Sequence, residues 1–354
     1  MSQDNNGIKA KLFRWYQENQ RVLPWRGSKD PYKIWLSEII MQQTRVAQGT
    51  PYYLKFVEKY PLVTDLASAD EQEVLKLWQG LGYYSRGRNL LKAAQQIVFE
   101  YKGVFPCEYN EVIKLKGIGP YTAAAIVSIA YNKPHAVLDG NVYRVLARLY
   151  AIEIPINAPQ ARLVFQKQAD ALLDKKNPGV FNEAMMELGA TVCLPKNPDC
   201  PNCPVLSYCK AYKSGSQNIL PRKLASRSVK TRYFHYLMIK KSGKFYIRQR
   251  LAGDIWQGLF ELPLIETNEV DFLTINQINE ILDTKITFLK PIQKTMHKLT
   301  HQHLEIVFYE ADMATPIRDN GQILTDNKGL KQYPLPRPLE LFLNDYLCKP
   351  DSIS

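Results

Sequence analysis

The segment Cys193-Leu194-Pro195-Lys196-Asn197-Pro198-Asp199-Cys200-Pro201-Asn202-Cys203-Pro204-Val205-Leu206-Ser207-Tyr208-Cys209 decides how the rest of the chain is read. Four of the chain's six cysteines, with six, two and five residues between them, fall within this one loop. Structural zinc commonly uses two separated Cys-x-x-Cys knuckles, whereas this array contains a single one. Four closely placed thiolates suit a cubane iron-sulfur cluster, with zinc as the alternative. The N-terminus, Met1-Ser2-Gln3-Asp4-Asn5-Asn6, lacks the apolar core of a signal peptide, and no run of about 18 apolar residues occurs. A soluble, cytoplasmic protein with no membrane association is therefore expected. Its thiols stay reduced, which favours metal ligation over disulfides. Cys107 and Cys348, far from the array, are expected to pack as apolar residues.

Before the loop, apolar residues recur at helical spacing, as in Trp35 and Ile39, Leu75 and Trp78, and Val142, Val145, Leu146 and Leu149. Residues 1–212 thus read as an all-α domain containing the cysteine loop. Residues 213–230 turn to Ser, Gly, Asn and Pro with scattered basic side chains, the texture of a linker. In residues 231–354 the aromatic and β-branched segments Tyr233–Ile239 and Phe245–Arg250 flank a turn at Gly243, which predicts a β-hairpin in an α+β domain. A chain of 354 residues, 45% hydrophobic, can bury two such cores. Its 46 Lys and Arg against 34 Asp and Glu leave +12. That balance favours a polyanionic partner, nucleic acid first, although surface lysines that only aid solubility produce the same sum.

Leu115-Lys116-Gly117-Ile118-Gly119-Pro120-Tyr121-Thr122, followed by the alanine-rich run 123–130, is a tight glycine turn opening a helix. Backbone N–H groups at such a turn bind phosphate, and the same pattern also fits a plain helix-helix turn. The cysteine spacing after an all-helical domain, with this turn ahead of it, resembles the endonuclease III superfamily of DNA glycosylases. The resemblance implies a helix-hairpin-helix that grips DNA through Gly117 and Gly119. It also implies one 4Fe-4S cluster held by Cys193, Cys200, Cys203 and Cys209, with Lys196 and Lys210 turned toward DNA.

Breaking an N-glycosidic bond needs a proton for the departing base and a negative charge beside the sugar cation. Glu38 and Asp139 are the candidates. Glu38 shares a helix face with Ile34, Trp35 and Met41, an apolar setting that raises a carboxyl pKa. From the stretch alone, a half-exposed glutamate paired with a base such as Arg45 is the favoured reading. Asp139 precedes a helix and suits an ordinary cap. The surrounding segment decides: Trp25-Arg26, Asp30-Pro31-Tyr32-Lys33-Ile34-Trp35-Leu36-Ser37-Glu38 and Gln42-Gln43-Thr44-Arg45-Val46 resemble the signature of the MutY family of adenine glycosylases. That resemblance implies Glu38 as acid and later base, with Asp139 steadying the sugar cation and Asn141 holding sugar and water. Trp25, Arg26 and Glu183 would form the adenine pocket. Gln43 and Tyr83 would be wedges into the duplex, Tyr83 having core packing beside Trp78 as its alternative. Glu183 and Glu187, one turn apart, would otherwise be an exposed helix face. Tyr121 stands where strand-nicking relatives carry a lysine, so a monofunctional enzyme is implied. It would act as a monomer on double-stranded DNA bearing an adenine mismatch.

Residues 251–263, Leu-Ala-Gly-Asp-Ile-Trp-Gln-Gly-Leu-Phe-Glu-Leu-Pro, resemble the Nudix-like domain of the same family, without the metal-binding Nudix box. Recognition of the opposite oxidised guanine by Lys298-Leu299-Thr300-His301-Gln302-His303 is implied, with Thr300 and His301 on the base. Family members often have Phe-Ser-His where this chain has Leu299-Thr300-His301. Three rivals remain: a bifunctional pyrimidine glycosylase, a noncatalytic iron-sulfur DNA-binding protein, and a Nudix hydrolase of free nucleotides.

Overall fold

The computed structural model describes residues 2–225, 229–241, 243–269, 271–282, 285–314 and 321–347. They form two compact units, Met1–Ser68 with Asn89–Ser226, and Ala69–Arg88 with Arg227–Ser354. Sequence pattern puts residues 69–88 with the N-terminal helices, but their polar side chains bind C-terminal backbone. Lys76 Nζ and Arg88 Nη1 donate to the carbonyls of Tyr333 (2.9 Å) and Gln257 (2.6 Å), and Gln72 Nε2 to that of Gly258 (3.3 Å).

The regular elements among the first unit's described residues are all helices. Helix Pro31–Met41 starts where the Asp30 carboxylate accepts from the Tyr32 N–H at 2.9 Å, with Pro31 in the first turn. It buries Ile34, Trp35, Leu36, Ile39 and Ile40, and it packs on helix Pro120–Tyr131, whose small Ala123–Ala125 side chains are all buried. Helix Pro178–Thr191 crosses helix Gly140–Tyr150 at Gly189, where an added Cβ would come within 2.5 Å of the Asn141 Cβ. That close approach sets the spacing between the helices bearing Glu183 and Asn141.

The second unit is a mixed sheet of β1 (Lys230–Lys241), β2 (Lys244–Gln249), β3 (Phe260–Glu261), β4 (Leu264–Thr267), β5 (Ile286–Lys298), β6 (Gln302–Met313) and β7 (Gln322–Thr325). The order is β3-β2-β1-β6-β5, with β4 on β1 and β7 on β2. The expected hairpin is β1–β2, pairing Lys241 with Lys244 around Gly243. β1 and β6 run parallel, and β1 is buried from Phe234 to Ile239 because helices cover both faces. Phe234, Tyr236 and Met238 share a core with helix Arg337–Leu347, where Phe342 stacks on Phe308 at 3.9 Å. Leu237 and Ile239 face helix Ile275–Leu282 through Ile278.

Candidate active site

A cavity of about 460 Å³ opens between the helices of the first unit. Its wall carries Trp25, Arg26, Glu38, Tyr121, Asp139, Asn141 and Glu183, seven residues that sequence reasoning marked as catalytic or base-binding. Glu38 is bonded by the Tyr121 hydroxyl, and no ion pair to Arg45 is seen among the described residues. Burial pushes the Glu38 carboxyl up to about 7, helped by the charges of Asp139 and Glu183 and opposed by the Tyr121 hydrogen bond and Arg26. The group is thus poised to give and take a proton near neutral pH.

Asp139 is both cap and cavity wall. One carboxylate oxygen accepts from the Val142 N–H at 2.7 Å, and the other from Asn141 Nδ2 at 2.8 Å. Burial raises its pKa against those hydrogen bonds. Arg144 ties the assembly to the cysteine loop, donating to Asn141 Oδ1 (2.8 Å), Gly189 O (2.7 Å) and Cys193 O (2.6 Å).

At the far wall a network missed by sequence reasoning holds Arg26. Its guanidinium reaches the Tyr16 hydroxyl at 2.5 Å, Glu187 at 2.7 Å and Glu183 at 3.3 Å, while its Nε is buried without a partner. Arg21 clamps Glu187 at 2.6 and 3.0 Å and, despite burial, holds that carboxyl below the usual range. Glu183 is pushed up by burial. The two glutamates are no exposed pair, since Glu187 is 1% exposed. The detectable signal was their shared helix face with basic residues elsewhere to match.

The four loop cysteines are partly buried together. Burial, joined by the neighbouring thiols, raises Cys200, Cys209 and Cys203, the last to about 12. Arg148 Nη1 lies 3.3 Å from the Cys193 sulfur, and backbone N–H groups of Val205 and Tyr212 bond the sulfurs of Cys203 and Cys209. Such donors suit charged thiolates. No three His, Cys, Asp or Glu of the described residues converge on a site for one metal ion. Cys107, expected to be packed, is exposed at the surface beside Glu108, which pairs with Lys133. Cys348 lies outside the described residues.

In the glycine turn, Gly117 has φ +77°, and an added Cβ would meet Asn89 at 2.7 Å. Gly119 caps helix Pro120–Tyr131 with open space around it, so a phosphate can approach.

The profile of the HhH-GPD superfamily of base excision DNA repair proteins matches residues 36–167, and that of the NUDIX domain matches residues 235–345. An adenine DNA glycosylase of Buchnera aphidicola (subsp. Baizongia pistaciae) is 36% identical over 307 residues, covering 83% of each chain. The chain belongs to the adenine DNA glycosylase family. An Arabidopsis thaliana adenine DNA glycosylase is 35% identical over 84% of this chain and 54% of its own length. A thermostable thymine-DNA glycosylase structure aligns with 60% of this chain and 98% of its own at a TM-score of 0.56 and 26% identity.

Two further residues of this adenine glycosylase family member, both expected to contact DNA, have an uncommon backbone. Gln43 (φ +55°) and Tyr83 (φ +48°) are left-handed non-glycine residues, and both are exposed. Tyr83, at 43% exposure, is not core beside Trp78. In the second unit its hydroxyl bonds that of Thr300. Tyr83, Thr300 and His301 line a second cavity of about 430 Å³.

Proposed function

We propose that this protein hydrolyses the N-glycosidic bond of adenine paired with 8-oxoguanine or guanine in duplex DNA, leaving an abasic site and an intact strand. The observation that carries the reading is the buried Glu38, its carboxyl pushed up to about 7 by burial, in the cavity that also contains Asp139. Glu38 protonates the departing adenine and then takes a proton from water, while Asp139 stabilises the cationic sugar. Asn141 orients Asp139, and Tyr121 steers the Glu38 proton. Trp25, Arg26 and Glu183 bind the base, with Arg26 Nε as a donor still to be used. An adenine reaches this cavity only when unstacked, and Gln43 and Tyr83 act as wedges during that step.

The donor set of Cys193, Cys200, Cys203 and Cys209 fits a 4Fe-4S cluster, which would staple the loop when bound. The exposed Lys196 and Lys210 then face DNA phosphates, as does the turn at Gly117 and Gly119. Thr300 and His301 read the guanine opposite. We further propose a monomer acting in the cytoplasm.

The test is an assay on duplexes with adenine opposite 8-oxoguanine and opposite guanine, the adenine strand being examined before and after alkali. Adenine release with breakage only after alkali is expected. Breakage before alkali would favour the bifunctional reading, and no release from either duplex the noncatalytic one.

A further inference from the structure

The second cavity contains a residue whose backbone is harder to explain than its packing. Trp256 has φ +59°, a conformation that crowds any side chain and is rare for a bulky one. The turn around it is held from behind by four side chains. Arg250 Nε donates to Ile255 O at 2.9 Å, Arg88 Nη1 to Gln257 O at 2.6 Å, and Gln249 and Gln72 to Gly258 O at 3.1 and 3.3 Å. Strain so over-determined is found where a side chain must be presented. One part of the indole rests on the core, 6.2 Å from the Phe234 ring and 6.0 Å from His297. It also lines the cavity, with the Tyr83, Thr300 and His301 polar groups beside it and Leu299 in the same wall. An aromatic surface next to hydroxyl and imidazole groups is the chemistry that binds a flat heteroaromatic base by face and edge.

We infer that Trp256 is a further base-binding residue, the surface on which the base opposite adenine packs, doing the work that Leu299 cannot. The inference rests on the proposed reading of the 298–303 loop. A flat aromatic face packs on either base, so both duplexes should feel its loss, and rescue by an aromatic at position 299 is what separates this role from one in the core alone.

The test measures binding by the full-length protein of duplexes with a non-hydrolysable adenosine analogue opposite 8-oxoguanine or guanine. Trp256→Leu should weaken both duplexes about tenfold, the scale of one lost base-aromatic stack. Leu299→Phe in that background should restore most of the loss. In the unsubstituted protein, Leu299→Phe should gain less than about twofold, because the aromatic position is already filled. This last variant decides the matter even if Trp256→Leu fails to fold. Unchanged affinity of Trp256→Leu for both duplexes, no restoration by Leu299→Phe in that background, or a tenfold gain from Leu299→Phe alone would each overturn the inference. An unsubstituted protein that binds both duplexes equally would instead overturn the reading of the loop.

Discussion

The two cavities, each proposed to hold a flat base, are built by opposite means. In the first unit the walls are helices, and charges are fixed by one another: Arg26 by Tyr16, Glu183 and Glu187, Glu187 by Arg21, and Asp139 by Asn141 and the Val142 N–H. In the second unit the walls are loops and turns, two of whose aromatics, Tyr83 and Trp256, adopt left-handed backbone, and Thr300 and His301 stand exposed. Bond cleavage rewards electrostatics that need no rearrangement. Reading a base rewards side chains presented for contact, even at the cost of backbone strain. Substitutions in the first cavity should therefore act on the rate of adenine release, and those in the second on duplex binding.

Asp139→Asn is the strongest challenge to that division. It keeps size and helix cap but removes the charge beside the sugar, and should slow single-turnover adenine release by on the order of 10²- to 10³-fold with duplex affinity little changed. Arg144→Gln comes next. It breaks three hydrogen bonds that tie Asn141 and Gly189 to the Cys193 carbonyl. A loss of roughly tenfold or more in rate is expected, with thermal unfolding shifted down by about 2 kcal/mol of stability. Thr300→Val is the mildest: an exposed hydroxyl is worth about 1 kcal/mol, so binding of the 8-oxoguanine duplex should weaken about fivefold with the rate at saturation unchanged. A rate loss from Thr300→Val, or a pure affinity loss from Asp139→Asn, would break the comparison.

Much of the first cavity was expected through the family resemblance carried by residues 25–46, since the local patterns alone also allow a surface glutamate at Glu38 and an ordinary cap at Asp139. Asp139 precedes an amphipathic helix, Glu38 lies on an apolar helix face, and the cysteines share one loop. The network around Arg26 was not legible. Tyr16, Arg21 and Glu187 meet only in three dimensions, and a Glu one turn from another Glu ordinarily signals a solvated face. Trp256 was hidden for another reason, since its role depends on a positive φ that no Asn or Gly in its position announces. Composition set the expected linker at residues 213–230, whereas residues 213–226 group with the helical unit. Residues 69–88, helical in pattern, group with the sheet unit because their polar side chains satisfy carbonyls there. Cys107 was misread because burial statistics for cysteine say nothing about a turn that ends beside a surface ion pair.

The most direct test of the account is single-turnover adenine release from a duplex with adenine opposite 8-oxoguanine, followed from about pH 5 to about pH 9 for the unsubstituted protein and Glu38→Gln. Because burial lifts the Glu38 carboxyl to about 7 and the protonated form is the acid, the rate should hold on the acid side and fall as pH rises through about 7. Glu38→Gln should bind the duplex within a few-fold, lose at least about 10³-fold in rate, and show no such inflection. Release by Glu38→Gln at the unsubstituted rate, with the inflection intact, would contradict the assignment of the proton to Glu38.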